Sequence, residues 1–348
     1  MGWLTTLVRI PPLATPASWG WHRCLASYSI VVLALTLAAC GSTGQTISPA
    51  RTVKTAARAA NPGAVKLAYR PLFSLPAAVQ DPAIARLPGG RFALLGGLDA
   101  GDTSTSNVTV VALHRPQRSA SLPNAQHDAQ AAAQNGQVYV FGGGQFSQYD
   151  HILRFDPNSG SVATAGSLPS PESDVAVASL GGVTYIVGGF DGTKSLDTIV
   201  AWSPGARARA VGHLPVGVRY AAVASAGRAL LIIGGSTPTG ASNAVYRFDP
   251  TTATVRRLGR MPQPITHASA AAIGQTVYVV GGRGDNLDAR SAAVWAIDPL
   301  TGHVRSAGRL PQPISDAGVV SLGDTIVVAG GKTAAGTQSG VGELVPVS

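Results

Sequence analysis

The heptapeptide Thr276-Val277-Tyr278-Val279-Val280-Gly281-Gly282, a β-branched apolar run closed by two glycines, decides the fold because it recurs. Equivalent runs lead into Gly96-Gly97, Gly142-Gly143, Gly188-Gly189, Gly234-Gly235 and Gly330-Gly331. Successive pairs lie 46, 46, 46, 47 and 49 residues apart, and a fixed period of this size marks one supersecondary unit repeated. By length and β-branched content the runs Arg91 to Leu95, Gln137 to Phe141, Val183 to Val187, Ala229 to Ile233, Thr276 to Val280 and Thr325 to Ala329 read as buried strands.

Outward from each pair the order repeats. A polar loop follows, then a third apolar strand, as in Ile152 to Phe155, Thr198 to Trp202, Ala244 to Phe248 and Ala292 to Ile297. That strand ends at Asp156-Pro157, Ser203-Pro204, Asp249-Pro250 or Asp298-Pro299, and Asp followed by Pro suits a type I turn into a fourth antiparallel strand. The fourth strand closes on Leu122-Pro123, Leu168-Pro169, Leu214-Pro215, Met261-Pro262 or Leu310-Pro311. Four short antiparallel strands repeated radially make a propeller. The last unit stops in its third strand, Gly342 to Val347, whereas Val65 to Phe73 runs into Leu75-Pro76, the mark of a fourth strand. The predicted fold is all-β, a six-bladed propeller whose last blade is completed by the N-terminal strand, leaving no free edge.

These residues resemble kelch repeats, and the resemblance covers Val65 to Ser348. The family's tyrosine three residues before the first glycine is present as Tyr139, Tyr185 and Tyr278, and is Ala93, Leu231 and Val327 elsewhere. Its usual fourth-strand tryptophan is replaced by smaller residues such as Val162, Val255 and Val304, which implies looser packing between blades. The glycine pairs read as structural, permitting positive φ and close backbone approach. No G-x-G-x-x-G opens a helix, so they are not a phosphate cradle.

The first forty residues carry an address. His22 and Arg23 precede the apolar run Ile30 to Leu35 and then Leu37-Ala38-Ala39-Cys40, which reads as an export signal too short to span a bilayer. Leu-Ala-Ala-Cys resembles the lipobox of bacterial lipoproteins, which implies lipidation of Cys40, cleavage before it and anchoring in the cell envelope. The expected organisation is a signal over 1–39, a lipidated cysteine and polar tether over 40–63, and a propeller over 64–348. Cys24 falls within the signal, so the exported body holds no free thiol, disulfide or thiolate metal site.

The formal charge of +9 raises the question of nucleic acid, but the basic residues are scattered and no basic run is interleaved with aromatics, so no nucleic-acid partner is expected. Charged residues make up only 12% of the chain. The expected partners are the membrane, through the lipid anchor, and a glycan or envelope protein. No cofactor is assigned.

Counting six residues on from each Leu-Pro or Met-Pro picks one position per blade at the start of the innermost strand: Asp81, Asp128, Asp174, Tyr220, His267 and Asp316. His127 and Arg219 directly precede two of them. By repeat symmetry this set rings one mouth of the central channel. Four carboxylates there could hold a hydroxyl-rich ligand or a hard cation, and crowding should push at least one of them upward in pKa. The competing reading makes each Asp a local cap on the turn between blades. Loops after the glycine pairs should open on the same face. Arg283-Gly284-Asp285 looks like an adhesion tripeptide, a match that chance supplies readily in a chain rich in arginine and glycine.

No G-x-S-x-G or H-E-x-x-H is present. The leading expectation is therefore a non-catalytic module for a glycan, peptide or envelope protein. The kelch resemblance also implies two enzymatic types. Copper oxidation of the galactose oxidase type depends on a cysteine bonded to a tyrosine, which the exported body lacks. Sugar anomer exchange of the exported sialic acid mutarotase type stays open, with His127, His267, Arg219 and a carboxylate as its groups.

Overall fold

The computed structural model describes residues 65–112 and 115–347. The expected signal and tether, with Cys40, lie outside the described residues.

Six four-stranded antiparallel sheets stand around a common axis. From the axis outward, blade 1 holds Ala83–Leu87, Arg91–Leu95, Thr105–Ala112 and Arg115–Gln126. Blade 2 holds Gln130–Gln134, Gln137–Phe141, His151–Phe155 and Val162–Ser167, and blade 3 Ala176–Leu180, Val183–Val187, Thr198–Trp202 and Arg209–His213. Blade 4 comprises Ala222–Ala226, Ala229–Ile233, Ala244–Asp249 and Thr254–Arg260, and blade 5 Ser269–Ile273, Thr276–Val280, Ala293–Ile297 and Val304–Arg309. In blade 6, Gly318–Leu322, Thr325–Ala329 and Gly340–Pro346 are completed by Leu67–Ser74, which pairs antiparallel with Gly340–Pro346 from Leu67 opposite Pro346 to Ser74 opposite Gly340. The six strands that precede glycine pairs have the bounds expected of them. One outer strand differs: that of blade 1 continues past Leu122-Pro123 to Gln126, because Gln126 pairs again with Thr105 after a bulge.

The glycine pairs are the joints between blades. In every blade the second glycine donates its N–H to a carbonyl of the segment that leads into the next blade: Gly97 to Gln126, Gly143 to Glu172, Gly189 to Val218, Gly235 to Ile265, Gly282 to Ile314 and Gly331 to Val79. The first glycine has positive φ, and a Cβ on Gly330 would lie 2.2 Å from the same Val79 oxygen. Only glycine lets the strand end turn and the two backbones meet.

The missing tryptophan has a replacement one strand inward. Buried Phe155, Trp202 and Phe248 on third strands fill the space between blades. Tyr139 of blade 2 packs on Trp202 of blade 3 with ring centroids 4.7 Å apart, and Tyr185 of blade 3 on Phe248 of blade 4 at 5.7 Å. Tyr278 of blade 5 reaches the closing strand, where its hydroxyl donates to the Val65 carbonyl at 3.1 Å. The interfaces are packed by aromatic and branched side chains, and the expectation of looseness is corrected.

Candidate functional site

Each blade enters its innermost strand through a residue held at positive φ: Asp81, Asp128, Asp174, Tyr220, His267 and Asp316, all between 51° and 58°. The backbone N–H of each points at its neighbour in the preceding blade. Asp174 donates to the Asp128 carbonyl, Tyr220 to Asp174, His267 to Tyr220, Asp316 to His267 and Asp81 to Asp316, over 2.6 to 3.2 Å. The sixth link differs: the N–H of Asp128 donates to the Asp81 carboxylate Oδ2 at 3.0 Å. A closed circle of hydrogen bonds thus surrounds the channel mouth. Asp81 is the one member acting as the local cap considered from sequence.

One residue upstream lies a second circle. Gln80, His127, Ser173, Arg219, Thr266 and Ser315 make two-way backbone bridges to the residues following the glycine pairs: Leu98, Gly144, Phe190, Ser236, Arg283 and Lys332. The loops do open on this face, as expected. Lys332 Nζ donates to Asp102 at 2.5 Å, and Gln80 also bonds that carboxylate.

Side chains divide the mouth into two halves. In one, the ring of Tyr220 stacks on His267, centroids 3.8 Å apart, and its hydroxyl donates to Asp128 Oδ2 at 3.1 Å while accepting from Arg219 Nη2 at 3.2 Å. His267 is tied to Thr266 and Arg283, each at 3.1 Å. Burial, then Arg283, hold His267 down to about 3, so the imidazole is neutral. Asp316 accepts from Ser315 at 2.6 Å, and burial lifts it to about 6. These groups close the axis over a cavity of about 100 Å³. The opposite mouth widens to about 530 Å³ between alanine, valine and serine side chains.

The other half is open. His127, Asp128, Ser173, Asp174, Phe190 and Arg219 line a pocket of about 150 Å³, with Phe146 at its edge. Phe146 is 95% exposed, while the Asp174 side chain is 1% exposed. The Arg219 guanidinium lies over the Phe190 ring, 4.3 Å from its centroid, and remains 30% exposed. His127 Nε2 is 3.5 Å from Asp128 Oδ2, and its Nδ1 pairs with the Ser104 hydroxyl at 2.9 Å.

Three carboxyls of this half share their protons unequally. Burial, then the charge of Asp128, raise Asp81 well above the ordinary range. Asp174 is lifted to about 8 by burial and by Asp128. Arg219 works against that rise, but its Nε rests against Asp174 Oδ2 outside hydrogen-bonding geometry, so both atoms lack a hydrogen-bond partner and burial prevails. Burial also acts to raise Asp128, yet the adjoining Asp81 and Asp174 carboxyls, His127 close by and the Tyr220 hydroxyl together hold it below the usual value. The three titrate as a coupled set, with Asp81 and Asp174 displaced upward and Asp128 downward. Among the described residues no three His, Cys, Asp or Glu side chains converge as metal ligands.

Of the eight residues singled out from sequence, His127, Asp128, Asp174 and Arg219 come together in the open pocket. Asp81 lies beneath as a cap, Tyr220 and His267 form the plug, and Asp316 supports it. Phe146 and Phe190 were not anticipated, although Phe190 directly follows a glycine pair and the repeat offset that yields the ring also yields this second set. The adhesion tripeptide is occupied internally: Asp285 accepts from the Ala241 N–H at 2.5 Å, and Arg283 bonds carbonyls of its own loop and His267.

The ring and its joints define a six-bladed β-propeller. Residues 173–207, 218–262 and 264–311 each match the Kelch motif. Among solved structures the chain is similar to that titled "Structure of YjhT", with a TM-score of 0.68 and 17% identity, covering 80% of this chain and 97% of that one. At that identity the likeness concerns the fold alone. No curated protein matches the sequence.

Proposed function

We propose that the propeller is an exported binding module that takes a small hydroxyl-rich ligand, a glycan end above all, in the open half of its mouth. The observation that carries this reading is the company Phe146 keeps: a fully presented aromatic ring beside His127, Asp128 and the half-free guanidinium of Arg219. An apolar face next to a few fixed polar groups is the usual make-up of a small-molecule site, and the C–H face of a sugar stacks on such a ring. Six non-glycine residues at positive φ add support. Each costs about 1 kcal/mol or more that glycine would not, so their side chains are retained against conformational preference.

The test is thermal unfolding against cell-wall fragments, simple sugars and peptides. A ligand that binds only the folded state raises the midpoint with its concentration. Phe146 supports no core, so Phe146→Ala should leave the unliganded midpoint unchanged and abolish the shift. An undiminished shift in that variant would remove the pocket from consideration.

A second reading is favoured by the carboxyls. Asp174 keeps its proton to about pH 8 beside an ionised Asp128, which sets an acid and a base in one pocket, as proton transfer at a sugar ring requires. Under this reading the protein accelerates anomer exchange, seen by NMR, and Asp174→Asn suppresses the acceleration; spontaneous rates at high protein concentration would dismiss it. In either case Leu37-Ala38-Ala39-Cys40 supports export with a lipid on Cys40. The mass of the mature N-terminal peptide, compared with a Cys40→Ser chain, tests that separately.

A further inference from the structure

Arginines that look scattered in sequence are gathered by the fold. The outermost strands of all six blades, Leu67–Ser74, Arg115–Gln126, Val162–Ser167, Arg209–His213, Thr254–Arg260 and Val304–Arg309, contain no Asp or Glu. Blades 3 to 5 instead expose Arg209, Arg256, Arg257, Arg260, Arg305 and Arg309 on these strands. None of the six is in an ion pair among the described residues, where the arginines so engaged are Arg219 and Arg247. Blade 4 is the extreme case, with three unpaired cations in Arg256-Arg257-Leu258-Gly259-Arg260. Like charges crowded on a folded surface repel, so an oppositely charged partner would relieve them.

We propose that this sector of the rim docks on anionic phospholipid headgroups. The course of the chain favours a membrane over other polyanions. The N-terminal strand is itself the outer strand of blade 6 and lies against that of blade 5, where Gly308 abuts the Leu67 carbonyl. Lys66 and Arg70 therefore extend the basic sector to the point where the chain enters the propeller, and Arg51, Lys54 and Arg58 precede it in sequence. A chain running from a lipidated Cys40 joins the propeller at this strand. The orientation rests on that reading of Cys40, but the headgroup attraction does not. A polybasic surface adds electrostatic attraction to whatever an acyl anchor supplies.

The ring closes within Leu67–Pro346, so residues 64–348 can be tested without any lipid. The experiment is co-sedimentation of that propeller with phosphatidylcholine vesicles with and without phosphatidylglycerol. Binding is expected only with the anionic lipid and should fall steeply with salt. The triple variant R256E/R257E/R260E should bind at least about 100-fold more weakly, since losing each arginine costs roughly fivefold before the added repulsion of the glutamates. R86E/R154E/R228E changes net charge equally with exposed arginines off the rim and should keep most of the binding. The proposal is overturned if the wild-type propeller ignores anionic vesicles, even while retained on heparin, or if both triple variants lose binding equally. None of these outcomes depends on whether Cys40 is acylated.

Discussion

Glu172 shows how much a single side chain can hold in this fold. It precedes the ring by two residues, is only 2% exposed, and its Oε1 has no hydrogen-bond partner. Burial, then Asp191, lift its carboxyl to about 8. Because the folded pKa lies above the unfolded one, the folded state binds the extra proton. The associated stability is full below about pH 4.5 and is lost as pH rises through about 8. Asp174 follows the same sign. Thermal midpoints should therefore fall between pH 5 and 9, and Glu172→Gln should flatten that fall and raise stability at pH 8 by about 2 kcal/mol, read by denaturant melts at each pH. The ring positions were legible at this scale because an offset from Leu-Pro survives every repeat. Their roles were not. Six residues equivalent by symmetry act as a cap at Asp81, a plug at Tyr220 and pocket walls at Asp128 and Asp174, according to which neighbour each meets across a blade interface.

At the level of the element, the strand ahead of each glycine pair is the most faithfully readable part of the chain, since its apolar run is buried on both faces and ends at a residue type that cannot be exchanged. Gly142→Ala would set a Cβ 2.3 Å from the Glu172 carbonyl at a φ of 59°, and should cost about 2–4 kcal/mol in equilibrium unfolding. Gly136, also at positive φ but with open space about it, should suffer only the smaller conformational cost, about 1 kcal/mol, when replaced by Ala. The outer strands were harder to read. Their exposed faces carry no apolar period, so the first runs on to Gln126 unannounced, and their arginines acquire meaning only when strands some 50 residues apart in sequence stand side by side.

For the molecule as a whole, closure depends on one strand brought from the far end of the chain. Tyr69 lies over Gly342, where a Cβ would meet its ring at 2.2 Å, and Tyr278 holds the Val65 carbonyl. Removing residues 65–74 would bare the edge of Gly340–Pro346, and size-exclusion chromatography should then show dimers or larger species in place of a monomer. Tyr278→Phe should leave the ring closed at a cost of about 1 kcal/mol. That the N-terminal strand completes the last blade was legible from two incomplete ends, because a radial fold must use each strand once.

The same closure sets how the protein meets mechanical load. Any pull on the chain ahead of Val65 arrives at the Leu67–Pro346 end of the ladder, where the Tyr278 hydroxyl on Val65 and the Val347 N–H on Lys66 are the first bonds in line. Drawn away from the rim, the strand unzips one pair at a time from there; drawn along its own axis, it loads every rung together. The direction of tension thus decides whether the propeller opens as a hinge or resists as a clasp.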